Sequence, residues 1–299
     1  MKRIPAGPAR SESVAAQGKV MQQILTKLVK RLGGGYSSAL GIDLDSAQSD
    51  EIFKWFLASI LLGVKIEEGI AIRTYREFEE VHVLSPETIL KSGRKGLADI
   101  LSMGGYGEHA FKTANMILES AQALTEKYEG DLNRLHFFAA NENDLKRKLQ
   151  SLGQGIGLST VNIFLREMRD QWDRARPQLP EHAVLAANKL GLTQATDAAS
   201  ALEDLRVVWE GNAQRGQRFS DFEAVIVKLG KSYCQKNLCV ICPVRTDCQN
   251  ANPISKKVRS SQQNSPSLSK CPIRLKVCSR YCYWSNRGKC TFPALARKV

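Results

Sequence analysis

Residues 153–170 read GQGIGLSTVNIFLREMRD, three glycines at alternate positions running straight into an amphipathic stretch. Val161, Phe164, Leu165 and Met168 fall on one helical face, so a helix begins just after Gly157. The preceding residues, NENDLKRKLQSLG, place Leu145, Leu149 and Leu152 at i, i+4 and i+7, which is also helical. The stretch therefore reads as helix, tight turn, helix. A mononucleotide phosphate loop needs Lys after its last glycine, and a dinucleotide fingerprint needs a preceding strand; neither is present. Gly155 and Gly157 can adopt positive φ, which would let the turn's amides and the second helix's N-terminus approach the backbone of a polyanion. A plain helix connection with glycine caps fits the same residues.

Outward from the turn, every clear periodicity is helical. KVMQQILTKLVKRLGGG aligns Val20, Ile24, Leu25, Leu28 and Leu32 before a glycine run. DEIFKWFLASILLGV aligns Ile52, Phe53, Phe56, Leu57, Ile60 and Leu61 as a buried helix. SPETILKSG opens on a Ser85–Thr88 capping pattern and stops at Gly93, and HAFKTANMILESAQALTEKYEG ends at Gly130. PEHAVLAANKLGL starts at Pro180 and ends at Gly191, and SDFEAVIVKLGKSYC ends at Gly230. No segment alternates with period two, so the body is expected to be all-α.

The chain of 299 residues carries a net charge of +13. Eleven of its positive residues lie after Ala251, where there is no Asp or Glu, so a nearly neutral body precedes a strongly basic tail. That distribution suits a nucleic-acid partner. The longest apolar run, around FLASILLGV, is too short to span a bilayer, and the N-terminus lacks the apolar core of a signal peptide. No membrane partner is expected, and the location expected is intracellular, cytoplasmic or at the nucleoid. The eight cysteines form two quartets, Cys234, Cys239, Cys242, Cys248 and Cys271, Cys278, Cys282, Cys290, clustering that favours metal ligation over disulfides in a reducing compartment.

LQSLGQGIGLSTVNIFL, GGYGEHAFKTANMILESAQAL and YCQKNLCVICPVRTDCQ, in that order over residues 45–250, together resemble the helix-hairpin-helix DNA glycosylases related to endonuclease III. The resemblance implies two helical lobes with a DNA cleft between them. One would span 46–160, including the hairpin. The other would comprise 19–45 plus 161–250, with the cysteine loop. Residues 1–18 read as an unstructured N-terminus, 251–270 as a basic polar linker and 271–299 as a small cysteine-rich basic module. The resemblance further implies that the turn, through Gly153, Gly155, Gly157, Ser159 and Thr160, holds a DNA phosphate while a nucleotide is turned out of the stack. A monomer is expected.

The resemblance also assigns chemistry. Family members that cleave the DNA strand carry a Lys two residues after the last hairpin glycine; Ser159 stands there, so no Schiff-base step is expected. The family's Asp at the next helix start stabilises charge on the sugar as the base departs. Here the nearest carboxylate is Glu181, in QLPEHAVLAANKLGL, although Glu in a first helical turn is favoured by the dipole whatever its function. His182 beside it reads as a surface residue, or else as a second polar group in the pocket, and Asp170 and Asp173 as solvent-facing. Val64 or Lys65 replaces the polar residue that relatives push into the duplex.

The first quartet, C-x4-C-x2-C-x5-C, is two residues shorter between its first cysteines than the family's [4Fe–4S] loop; four thiolates suit that cluster or zinc. The second quartet, C-x6-C-x3-C-x7-C, interleaves Arg and Lys with Tyr281, Tyr283 and Trp284. A second zinc there would fold so short a segment, and the alternative is a disulfide-bonded or unfolded tail.

Overall fold

The computed structural model describes residues 22, 24, 26–213, 218–248, 250–251, 285–286 and 289–290. Residues 1–251 and 252–299 form separate units. The expected N-terminal arm and most of the basic tail lie outside the described residues.

The first unit is helical, as expected. It comprises α1 (26–32, with residues 22 and 24 also helical), α2 (Tyr36–Ala39), α3 (Ser49–Gly63), α4 (Glu68–Glu80), α5 (Pro86–Gly104) and α6 (Ala110–Tyr128). There follow α7 (Leu132–Phe137), α8 (Glu142–Gln150), α9 (Leu158–Glu167), α10 (Glu181–Leu190), α11 (Ala198–Glu210) and α12 (Phe219–Leu229). In the second unit, β1 (Ser285–Asn286) and β2 (Lys289–Cys290) pair antiparallel.

Local chemistry accounts for the ends. Ser85 Oγ accepts from the Thr88 amide while Thr88 Oγ1 accepts from the Ser85 amide, a closed capping box with Pro86 at the first helical position. Gly93 does not end α5. It adopts φ +62, ψ 177 and kinks a helix that resumes to Gly104, because Leu97, Ala98 and Leu101 continue the buried face beyond it. Gly230 does not stop α12 either. With φ −58 it stays right-handed and a π-turn, Gly230–Cys234, carries the chain to the first cysteine. α4 and α11 were not read from the sequence, yet Ala71, Thr74, Tyr75 and Phe78, then Ala201, Leu205 and Trp209, are buried at helical spacing.

Two apolar clusters result. One runs from Leu40 to Ala175; the other joins Ile24 and Leu28 to Leu179–Val244. The sequence division placed 19–45 and 161–175 with the second lobe. The packing places Leu40, Ile42, Leu44 and all of α9 in the first, because Phe164 packs edge-on against Phe56 and Trp55 Nε1 donates to the Phe164 carbonyl at 3.0 Å. The chain passes from the first cluster to the second across residues 176–178.

Candidate nucleic-acid interface and cysteine cavity

α8 starts at Asn141, whose side chain accepts from the Asn143 and Asp144 amides, and buries Leu145 and Leu149. Leu152 and Ile156 then turn inward while Gln154, Gly155, Gly157 and Ser159 stay exposed. The connection is thus nailed to the core at two points and open to solvent between them.

The three glycines do three different things. At Gly153 a Cβ would sit 2.7 Å from Ser120 Oγ and 2.9 Å from the Met116 carbonyl, so this glycine lets the turn lie on α6. Gly155 has φ +100, the conformation glycine alone adopts without strain. Gly157, free to adopt positive φ, instead has φ −90, ψ 174 with open space around it, and serves as the N-cap of α9. Gly153→Ala should therefore cost about 1–3 kcal/mol by overpacking. Gly155→Ala should cost about 1 kcal/mol through its dihedral, and Gly157→Ala a few tenths. Urea unfolding of the three variants checks the ranking, and equal losses would refute it.

Among the described residues, the amides of Gly155 and Gly157 donate to nothing, and the first turn of α9 adds its unpaired donors. The Gln154 amide is already taken, by Glu119 Oε2 at 2.7 Å. Ser159 is exposed at the second position of α9. Thr160 is not available as a side chain: it is 4 % exposed and pressed against Gly63 at the end of α3.

Glu181 stands exposed at the first position of α10 and, among the described residues, forms no ion pair. His182 is not the surface residue expected. It is half-buried, its Nε2 is enclosed without a partner, and burial, then the positive charges of Arg166 and Lys231, push its pKa down. Asp170 and Asp173 are exposed, but each has a partner: Ser220 Oγ donates to the first at 2.6 Å and His136 Nε2 lies 2.8 Å from the second. Val64 is half-buried and Lys65 exposed between α3 and α4.

Sequence reading missed a set of buried charges on the hairpin's second helix. Glu223 of α12, fully buried, accepts from Arg169 Nε at 2.5 Å and Arg169 Nη2 at 3.1 Å, with Arg166 Nε 3.5 Å away. Glu167 accepts from the Tyr36 and Ser37 amides at 2.7 and 2.9 Å and from Ser37 Oγ at 2.5 Å, capping α2. Burial raises the Glu167 pKa against those hydrogen bonds. Three charged residues in four, REMR, on an otherwise apolar helix end was the available signal.

A scan against family models and a search of curated proteins returned no match to this chain. The cysteines supply independent geometry. Cys234, Cys239, Cys242 and Cys248 all line one cavity, walled by Leu190, Leu229 and Val244 with Lys189 and Arg245 at its edge. They are free thiols, and burial foremost pushes the Cys234 pKa up to about 11. Among the described residues no group of three or more His, Cys, Asp or Glu side chains is arranged to hold a metal ion, and the cavity volume is about 10 Å³. Cys271, Cys278 and Cys282 lie outside the described residues, and of Cys290 only the backbone is described, in β2.

No helix among the described residues is long and apolar enough to cross a membrane.

Proposed function

We propose that this chain is a DNA-binding protein of the helix-hairpin-helix glycosylase kind, hydrolysing the N-glycosidic bond of a base turned out of the duplex without a Schiff-base step. The observation that carries the reading is the exposed 154–157 turn, with Gly155 at φ +100 and the unpaired amides of Gly155 and Gly157 leading into the N-terminus of α9. Unpaired main-chain donors at the positive end of a helix form an anion site, and a turn without side-chain bulk lets a phosphate reach them. Ser159 offers a hydroxyl where an amine nucleophile would be needed, so water is the nucleophile that remains. An acidic side chain near the sugar, Glu181 by its place at the next helix start, would stabilise the positive charge that grows as the base leaves. The protein would act as a monomer.

That Cys234, Cys239, Cys242 and Cys248 line one cavity supports reading them as the ligands of a [4Fe–4S] cluster, zinc being the alternative. Bound there, the group would staple the segment after α12 and contribute no step to base release. Purified protein is expected to show the broad visible absorbance of an iron–sulfur cluster, lost in Cys239→Ser. Colourless protein carrying one zinc would reverse the assignment.

A second reading, a DNA-binding module without chemistry, is favoured by one observation: Glu181 is exposed with nothing holding it. Both readings predict duplex binding that weakens as salt rises, because phosphate contacts release counterions. Glu119→Gln should strengthen that binding on the order of threefold by removing a negative charge beside the turn. Affinity independent of salt and of Glu119 would remove the phosphate site. Duplexes bearing uracil, alkylated bases, oxidised bases or mismatches, treated with alkali after incubation, separate the two: strand breaks support the enzyme, tight binding without breaks the module.

A further inference from the structure

The glycosylase reading requires a carboxylate held in place, because a charge stabilises a transition state only if it is already positioned when charge develops. Glu181 has no partner to hold it. A different carboxylate faces a cation. Glu68 begins α4, and its Oε2 lies 3.7 Å from the Nζ of Lys231 on the π-turn after α12. Tyr36 at the start of α2 stands beside it, its phenol pKa raised by burial and then by Glu68. The Glu68 side chain is 30 % exposed and that of Lys231 54 %, so the pair is reachable from solvent.

The surroundings are those of an incomplete polar site. Arg166 of α9 is 7 % exposed, and its Nε donates no hydrogen bond although Tyr36 and Glu223 are close by. His182 Nε2, within electrostatic reach of Arg166 and Lys231, is likewise enclosed and unpartnered. Buried polar atoms almost always find partners; Arg166 Nε has Glu223 at 3.5 Å as its counter-ion, so His182 Nε2 is the enclosed atom here that marks a place where another polar group is expected. The place is also tied to the hairpin. Gly63 is pressed against Thr160 of α9, and the short link 64–67 runs from that contact to Glu68.

We propose that Glu68, rather than Glu181, is the carboxylate that carries base release, with Lys231 as its positioning residue. The C1′–N bond of the turned-out nucleotide breaks with its electron pair leaving on the base. The Glu68 carboxylate faces the positive charge left on the sugar, a water oxygen bonds to C1′, and Glu68 takes that water's proton and returns it to the departing base nitrogen. Water is the sole co-reactant.

The test is single-turnover base release by the full-length protein on the duplex panel above, alongside duplex affinity and urea unfolding. Glu68→Gln should lower the release rate by about a hundredfold or more with affinity and unfolding midpoint unchanged. In Glu68→Ala, added formate should restore release, which a merely structural role would not allow. Lys231→Met should lower the rate about tenfold and Lys231→Arg should recover it. Release by Glu68→Gln within about threefold of the parent rate, or loss of release in Glu181→Gln with Glu68→Gln intact, would overturn the assignment and leave the glycosylase reading standing. Binding without release by the parent protein on every duplex would overturn that reading and this one with it.

Discussion

Glu223→Gln is expected to lower the unfolding free energy by about 3–5 kcal/mol, the cost of leaving buried guanidinium charge without its counter-ion. Glu223 is fully buried on α12, and both its oxygens receive Arg169 while Arg166 stands 3.5 Å from one of them. Arg169 also donates to the Pro177 carbonyl, at the boundary between the two apolar clusters. Burial already lowers the Arg166 pKa, with Glu223 the leading opposing influence. An uncharged amide cannot replace that attraction, and the enclosed site admits little water to do so. Urea unfolding at neutral pH checks the figure. Because α9 packs with the first cluster and α12 with the second, the loss should also separate the unfolding of the two, so that tryptophan fluorescence and helical circular dichroism no longer coincide. Arg169→Met should be costly by itself, but combining it with Glu223→Leu should cost less than the two losses added, since neither partner of the pair is then left charged without the other. A loss under about 1 kcal/mol for Glu223→Gln would mean that the charges are solvated and the buried-pair account is mistaken.

Gly230→Ala should cost about 3 kcal/mol, at the upper end of overpacking effects. A Cβ at this position would land on the backbone carbonyl of His182 and come 3.1 Å from the Ala183 amide. Both obstacles are main chain, so no rotamer change relieves them, and α10 must move away from the π-turn. Cys234 closes that turn, and His182 lies in the first turn of α10. The same substitution should therefore displace Cys234, and with it any metal held there as proposed, besides lowering stability. Gly211→Ala is the matched control: its Cβ would meet nothing nearer than 3.5 Å, at φ −75, and stability should shift by no more than about 0.5 kcal/mol. Equal effects at the two glycines would show that conformational freedom rather than contact with His182 governs position 230.

The helices around the quoted turn were legible because a buried face repeats every 3.6 residues whatever it packs against. Val161, Phe164, Leu165 and Met168 all prove fully buried, as do Ile52, Leu61 and Leu28. The capping box at Ser85 was legible for the same reason: both partners lie within one turn. The roles of the glycines were not. Gly153 and Gly157 are indistinguishable in sequence, yet one lies against α6 and the other against solvent, a difference made by Met116 and Ser120 more than thirty positions earlier. Likewise α9 carries equal apolar credentials for either lobe, and its place was settled by Trp55 and Phe56 of α3.

The site divides along the same line. Composition and spacing alone determined an all-helical body, a glycine turn before an amphipathic helix, four thiols within fifteen positions and a basic tail, since each is a property of neighbours in the chain. Tertiary structure alone decided that those four thiols line one cavity, that Thr160 is shut away by Gly63, and that Glu181 is unheld while Glu68 meets Lys231 from more than 160 residues away. Local pattern encodes which side of a helix is apolar; which charged groups meet depends on how helices cross, and that is set by the whole core at once.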